Sequence, residues 1–480
     1  MLSHLKLSYY NHFIPYEEKG IFIIYNSFSN SMIEIDYQTG LLISKLNSME
    51  IHYLDFEVVS KMRENGMIIP SDMDEFKEMK KRGNNSRSKL TESSTLFLCI
   101  SPTNSCNMSC PYCFEGDKSA KLRDTKYLSE ENINHLMQHV KNTIFNPHST
   151  KIERVVIEWF GGEPLLQKNI IKEFSEFIIE ICEKNDIEFF ASIITNASLL
   201  DEKTWQILKD CKVSNVQVTI DGKKEMHNQV RFFGNGKGSY DQIMDNLVNM
   251  PKDFFNLTLR INGDRQVFND LPTLFNDLEN VGLWPQRSNE IKFQWAPKFF
   301  NVLGHNQDIG IYYTSYEYQK SKQDFELLRI SHYNRWAAVN GHKIRKPQFA
   351  YPNLASFYCV TVESSNSFSI DDGGYIHKCY NTVNNKNQRI EHLSEFDGTN
   401  PSLLSYKGFD KTDEADCRTC KVLPICEENC NMRFVSRAES KTCTVWKYFM
   451  DERMRSIYDQ LSDPKDNLPV VNKFGEAIIG

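Results

Sequence analysis

The chain has 480 residues, more than one hydrophobic core usually holds, so two or three domains are expected, the largest of them barrel-sized. With 40% apolar and 25% charged residues and a formal net charge of -7, it has the composition of a soluble globular protein and no basic field of the kind that binds nucleic acid or anionic lipid. No apolar run approaches the roughly 20 residues that cross a bilayer, and residues 1–20 lack the apolar core and cleavage site of a secretory signal, so a cytoplasmic protein with neither membrane nor nucleic-acid partner is expected.

Residues 1–90 carry strand-like runs at 20–25 and 31–35, a turn-like Gln38-Thr39-Gly40 and a helical period at 55–64, which together predict a small α+β domain. The polar stretch KKRGNNSRSKLTESS that follows has no apolar period and reads as a flexible linker, with the basic residues between Lys77 and Lys89 solvated. From Thr95 the pattern changes. Six apolar segments, TLFLCI, RVVIEWF, FFASIIT, NVQVTI, NLTLRIN and IKFQWA, alternate with amphipathic stretches such as 130–142 and 240–250. Strand and helix alternating over residues 95–300 predict an α/β architecture, a full or partial β/α barrel with functional loops at the C-terminal strand ends. Residues 301–350 form a bridge with a helix near 316–330, residues 351–450 are rich in cysteine and poor in long apolar elements, and 451–480 form a tail.

Thirteen cysteines in a reducing compartment point to thiolate ligation of metal rather than to disulfides. Cys106, Cys110 and Cys113 place three thiolates on the loop after the first barrel strand, enough to hold three irons of a cubane and leave the fourth open. Structural zinc would want four closed ligands. The spacing C-x3-C-x2-C, with the aromatic Tyr112 before the last cysteine, resembles the signature of the radical S-adenosylmethionine (SAM) superfamily over residues 95–300. That resemblance implies a partial (β/α)6 barrel, a 4Fe-4S cluster whose open iron is chelated by SAM, and a 5'-deoxyadenosyl radical that abstracts hydrogen from substrate. Gly161-Gly162-Glu163-Pro164 after the second strand matches the family's GGEP element. Its glycines would let backbone approach a ligand closely, and Glu163 would accept from the methionyl amine. Thr219, at the end of the fourth strand, stands where the family contacts ribose or carboxylate, and Arg231 where it pairs with the methionyl carboxylate.

Seven further cysteines follow: Cys359, then Gly374 and Cys379, then Cys417, Cys420, Cys426, Cys430 and Cys443. Their spacing resembles the SPASM domain of radical SAM enzymes that modify peptides and proteins. The family pattern assigns Cys417, Cys420, Cys426 and Cys443 to an outer auxiliary cluster, and Cys359, Cys379 and Cys430 to an inner one that is a thiolate short, for three 4Fe-4S clusters in all. Either a non-cysteine ligand completes that inner cluster or it is open to substrate, and an open one could bind and deprotonate a substrate thiol, the arrangement proposed for thioether-forming peptide maturases. Anaerobic sulphatase maturases instead carry an aspartate after the cysteine matching Cys379, where this chain has Tyr380. Cys99, Cys182 and Cys211 read as small buried hydrophobes, and His377 as an ordinary strand histidine. The N-terminal domain resembles in position the RiPP recognition element, a winged-helix-like module that takes a leader peptide as an added strand, with Met32 and Ile33 beside the candidate edge.

The expected activity is that of a radical SAM maturase acting on a ribosomally made precursor peptide, served by a flavodoxin- or ferredoxin-type electron donor and installing a cysteine thioether. Carbon-carbon cyclophane formation, epimerisation and formylglycine formation in sulphatases are the alternatives. No residue is distinguished as a catalytic base.

Overall fold

The structure, a computed structural model, describes residues 4–47, 50–113, 126–297, 313–383, 385–397, 400, 403, 410–428, 430 and 443–462. Residues 301–312 of the expected bridge and 463–480 of the expected tail lie outside these.

The N-terminal region forms two small antiparallel sheets. Strands β1 (Leu5–Leu7) and β5 (Ile68–Pro70) pair with each other, and β2 (Asn11–Tyr16), β3 (Ile21–Asn26) and β4 (Ser31–Asp36) form a three-stranded sheet. The run IFIIY in β3 is apolar without alternation because both faces are covered. Phe22 and Ile24 pack with Ile43, Val59 and Met62 of helices α1 (Tyr37–Lys45) and α2 (Phe56–Glu64). Ile23 and Tyr25 pack with Trp446, Met450 and Met454 of a distant C-terminal helix.

Two expectations fail here. Gln38-Thr39-Gly40 is no turn but the first part of α1, started by Asp36, whose side chain accepts from Thr39 N at 3.0 Å. Gly40 serves close packing, since a Cβ there would lie 2.3 Å from Phe22. The supposed linker is helix α3 (Glu75–Thr91), capped by Asp74. Its Gly, Asn and Ser content gives it little helical stability of its own, so tertiary contacts decide. Met79 and Gly83 are buried, Gly83 against Phe357, and the Arg82 guanidinium lies 3.8 Å from the centre of the Phe28 ring. Arg87 forks onto the buried carboxylate of Glu363 at 2.8 and 3.2 Å. These two arginines are partnered rather than solvated.

Strands β6 (Thr95–Ile100), β7 (Arg154–Trp159), β8 (Glu188–Thr195), β9 (Val213–Thr219), β10 (Asn256–Gly263) and β11 (Ile291–Pro297) are parallel and adjacent in chain order, as in a partial barrel. Helices α4 (Glu130–Ile144), α5 (Lys168–Lys184), α6 (Glu202–Asp210), α7 (Lys224–Val230), α8 (Tyr240–Val248) and α9 (Arg265–Asn280) connect them. One face of the strands, including Leu96, Leu98, Ile157 and Trp159, packs into the large core that holds the buried faces of α4, α5, α6, α8 and α9. Cys99, Cys182 and Cys211 are buried, as expected. The helix expected near 316–330 runs longer, as α10 (Ser315–Asn340), from a capping box at Thr314 and Glu317 to a left-handed Gly341.

The sheet does not stop at the first barrel strand. β12 (Ser367–Ile370) pairs parallel to β6, and β13 (Tyr375–His377) and β14 (Glu391–His392) continue it antiparallel to nine strands. His377 is an interior strand histidine, with one nitrogen at Asp371 Oδ2 (3.2 Å) and the other at Thr382 Oγ1 (3.3 Å). Helix α11 (Trp446–Ser462) returns to cover β2 and β3. No helix among the described residues is long and apolar enough to cross a membrane.

The Arg87 contact ties α3 to the C-terminal region. Arg87→Ala strands the Glu363 carboxylate and is expected to cost about 3 kcal/mol. Glu363→Gln in the same background should recover part of that loss, as read by denaturant unfolding.

Candidate active site

The loop after β6, residues 101–113, is clamped on three sides. From β7, Gly162 N donates to Thr103 O at 3.1 Å and Glu163 N to Ser105 O at 2.9 Å. A Cβ on Gly161 would lie 2.4 Å from Thr103 O, and one on Gly162 would lie 2.1 Å from Ser105 O. Gly161 also has φ +118°, a conformation that suits glycine. These glycines therefore admit the cysteine loop itself. From the segment after α7, Ser109 N donates to Phe232 O at 2.8 Å, and Gly234 N to Asn107 O at 3.3 Å. From the turn between β12 and β13, Asp372 accepts from Asn104 N and Asn104 Nδ2, both at 3.1 Å.

Glu163 is fully buried. Its Oε1 accepts from Thr195 Oγ1 (2.6 Å) and Leu165 N (3.1 Å), and its Oε2 from Asn196 N (2.7 Å). Burial raises its pKa against these hydrogen bonds. Asn196 Nδ2 reaches Cys106 Sγ at 3.8 Å and Asn107 Oδ1 at 2.8 Å. Burial, then the charges of Glu163, Cys110 and Cys113, push the Cys106 thiol up to about 12. A bare thiol there keeps its proton, and a metal would displace it.

At the end of β9 a second polar group gathers. Tyr112 Oη donates to Asp221 Oδ2, and Arg231 Nη1 donates to Tyr112 Oη at 2.8 Å. Asp221 Oδ1 takes Asn262 N at 3.0 Å. His227 accepts from Asp221 N at 3.2 Å and meets Ser239 Oγ at 3.0 Å, and Ser239 Oγ donates to Arg231 O at 2.9 Å. Arg231 is 8% exposed, yet its Nε has no partner among the described residues. A buried guanidinium donor left open in this way fits an anionic ligand group. Thr219, also buried, ends β9 beside Arg260.

Residues 100–274 match the Radical SAM superfamily. They form a radical SAM domain. The chain is accordingly an enzyme, and radical SAM proteins bind SAM and a 4Fe-4S cluster. It is 23% identical over 352 residues to a cysteine-type anaerobic sulfatase-maturating enzyme of Clostridium novyi, covering 70% of this chain and 88% of that protein. It is 25% identical over 274 residues to the radical SAM cyclopropyl synthase TigE of Paramaledivibacter caminithermalis, covering 51% of this chain and 54% of the other. Among solved structures, native anSMEcpe with bound AdoMet and Kp18Cys peptide superposes with a TM-score of 0.55 at 16% identity, covering 76% of this chain and 99% of that one.

The thiols fit an iron–sulphur group in their chemistry. Cys106, Cys110 and Cys113 form no disulfide among the described residues, share one loop, and Cys106 feels the charge of the other two. Beyond the radical SAM domain, burial and then the charges of Cys430 and Cys359 push Cys379 up to about 11. Cys420 feels Cys426 and Cys443, and the buried Lys411 feels Cys426 and Cys417. Lys411 Nζ donates to Cys426 O at 2.5 Å, and Lys447 Nζ to Cys443 Sγ at 3.5 Å, two lysines beside a cysteine-rich region. Among the described residues no three Cys, His, Asp or Glu side chains close on a single metal ion. A cluster instead spreads its thiolates over several iron corners.

Asp221 and Asn196 were not anticipated, although they lie two residues and one residue past the ends of β9 and β8, the place where site residues are expected. Asp372 carried no signal, because its partner Asn104 lies 268 residues away in sequence.

Gly162→Ala drives a methyl group into Ser105 O and should displace the cysteine loop. Iron content and visible cluster absorption after anaerobic reconstitution are expected to fall severalfold, while Val339→Ala, at an exposed position on α10, leaves both unchanged.

Proposed function

We propose that the protein is a radical SAM peptide maturase that crosslinks a ribosomally made precursor through a cysteine thioether. The observation that carries this reading is the inner cysteine set: Cys359, Cys379 and Cys430 supply three thiolates, the stretch VTVESSNSFSID adds none, and Tyr380 rather than an acid follows Cys379. Three thiolates leave a corner at which a substrate cysteine can be held and deprotonated.

The cofactor pair, a 4Fe-4S cluster on Cys106, Cys110 and Cys113 with SAM, supplies hydrogen abstraction through a 5'-deoxyadenosyl radical. Arg231 Nε offers the unused donor for the methionyl carboxylate. Glu163 Oε2, which accepts from Asn196 N, keeps a further acceptor position for the methionyl amine. Gly161 and Gly162 hold the loop, and Tyr112 and Thr219 border the same corner. Cys417, Cys420, Cys426 and Cys443 close the outer auxiliary cluster. The edge strand β4, carrying Met32 and Ile33, serves as the place where a leader peptide adds a strand; one of its carbonyls, Glu34 O, is already taken by Lys61 Nζ at 2.9 Å. A low-potential flavodoxin or ferredoxin supplies electrons.

A second reading, formylglycine formation, is favoured by the likeness to a cysteine-type sulfatase-maturating enzyme over 88% of that protein's length. Product mass separates the two. A cysteine-containing precursor is expected to lose two hydrogens with consumption of its thiol. Loss of two hydrogens with the thiol intact means a carbon-carbon crosslink, and formylglycine from a sulphatase peptide replaces the thioether reading. Tyr112→Phe removes a hydroxyl that joins two buried charged groups, an interaction of about 1.5–3 kcal/mol. SAM affinity, measured by equilibrium dialysis on the reconstituted enzyme, should fall about tenfold or more.

A further inference from the structure

The strand face turned away from the large helical core carries a charge with no use in the scheme above. Phe97 and Cys99 of β6, Phe160, and Ile194 of β8 gather there with Val383. Glu158 is in register with Cys99 on one side and Ser192 on the other, so it projects to this same face, while its neighbours Ile157 and Trp159 point into the helical core. The C-terminal segment closes over the face: the Tyr380 ring meets Phe160 edge-on with centroids 5.6 Å apart. Tyr380 lies within the fields of both Glu158 and Arg260.

The two charges differ in how they are satisfied. Arg260 Nε donates to Asn262 Oδ1 at 2.9 Å, and Arg260 Nη1 to Gln294 Oε1 at 3.2 Å. Glu158 is half-buried, yet no described residue gives it a hydrogen bond or an ion pair, and burial raises its pKa. An unpaired carboxylate on a largely covered face costs stability, and a sequence gains from keeping one only if something else pairs with it. The face leads directly to the cofactor corner. Asn262, which holds Arg260, donates its N–H to Asp221, and Gly161-Gly162 follows Glu158 by three residues.

We propose that Glu158 is a substrate-recognition residue: its carboxylate pairs with a cationic side chain, lysine or arginine, that the peptide carries beside its reacting cysteine. This rests on the peptide-maturase reading and adds a substrate class to it. A peptide lacking the cation would leave the carboxylate dehydrated and unpaired, so the device selects by penalising the wrong sequence as well as by holding the right one.

The test compares two synthetic cysteine-containing peptides, identical except for lysine or norleucine next to the cysteine, binding to anaerobically reconstituted wild-type and Glu158→Gln enzyme. The wild type is expected to bind the lysine peptide about tenfold more tightly or better, the range of a charge-assisted hydrogen bond, and Glu158→Gln to bind both alike. Equal binding by the wild type, no binding of either peptide, or a lysine preference that survives Glu158→Gln overturns the proposal. Cluster absorption and thermal unfolding of Glu158→Gln show whether the variant is folded; if it is not, Glu158→Asp, which keeps the charge on a shorter arm, must retain a lysine preference that is weaker than wild type. Failure of the underlying reading shows separately, as peptides of unchanged mass after wild-type enzyme, SAM and dithionite are added, whichever peptide binds more tightly.

Discussion

Two backbone hydrogen bonds, from Gly162 N to Thr103 O and from Glu163 N to Ser105 O, set the geometry on which the rest of the site depends. They require the chain after β7 to lie so close to the cysteine loop that neither glycine can carry a side chain. The contact passes from strand to strand. Glu163, fixed by its own backbone, receives Thr195 and Asn196 from the end of β8, and Asn196 in turn reaches Cys106. A loop of three thiols has many conformations of its own, and ordering it costs on the order of 1–2 kcal/mol of backbone entropy per residue. Anchors on the β7 side, the post-α7 side and the β12–β13 turn offset that cost before any metal arrives.

Buried charges recur at the junctions between regions. Arg87 with Glu363 joins α3 to the segment before β12. Lys378, 2% exposed, donates to Ser364 O and Ser367 O at 2.6 and 2.8 Å. Asp371 accepts from Gly373 N, Tyr375 N, His377 and Arg389. Such groups add little net stability over apolar ones of similar size, but each is costly to misplace, so they favour one relative arrangement of the parts over its near neighbours. A protein that must hold reactive groups in fixed relation benefits from that selectivity.

The parallel sheet was legible because β6 to β11 are buried runs separated by amphipathic helices, a pattern that parallel sheets impose. The closeness of the GGEP glycines was legible because backbone approach demands that residue type, although what they approach is the cysteine loop and not a ligand. What escaped was long-range. The segment KKRGNNSRSKLTESS lacks an apolar period because its helix is held by Phe28, Phe357 and Glu363, none of them near it in sequence. Gly40 looked like a turn because a glycine that admits Phe22 and a glycine that permits a bend leave the same letter. Asp221 and Asn196 sat at strand ends, within reach of the positional rule, but their roles came from partners that no local window contains.

The continuation of the barrel sheet into β12, β13 and β14 makes the C-terminal region part of the same hydrogen-bonded layer as the cysteine loop. Asp372, in the turn after β12, grips Asn104, and Cys379 follows β13 by two residues. The first cysteine set and Cys379 are therefore connected through one strand pair and one carboxylate rather than through a flexible linker. Sheets resist shear because sliding a strand by one residue would reverse every side chain on it. The separation between the two thiol groups is thereby held as firmly as the register of β6 against β12, and Tyr380, carried on the same connection, is set over the strand face that bears Glu158.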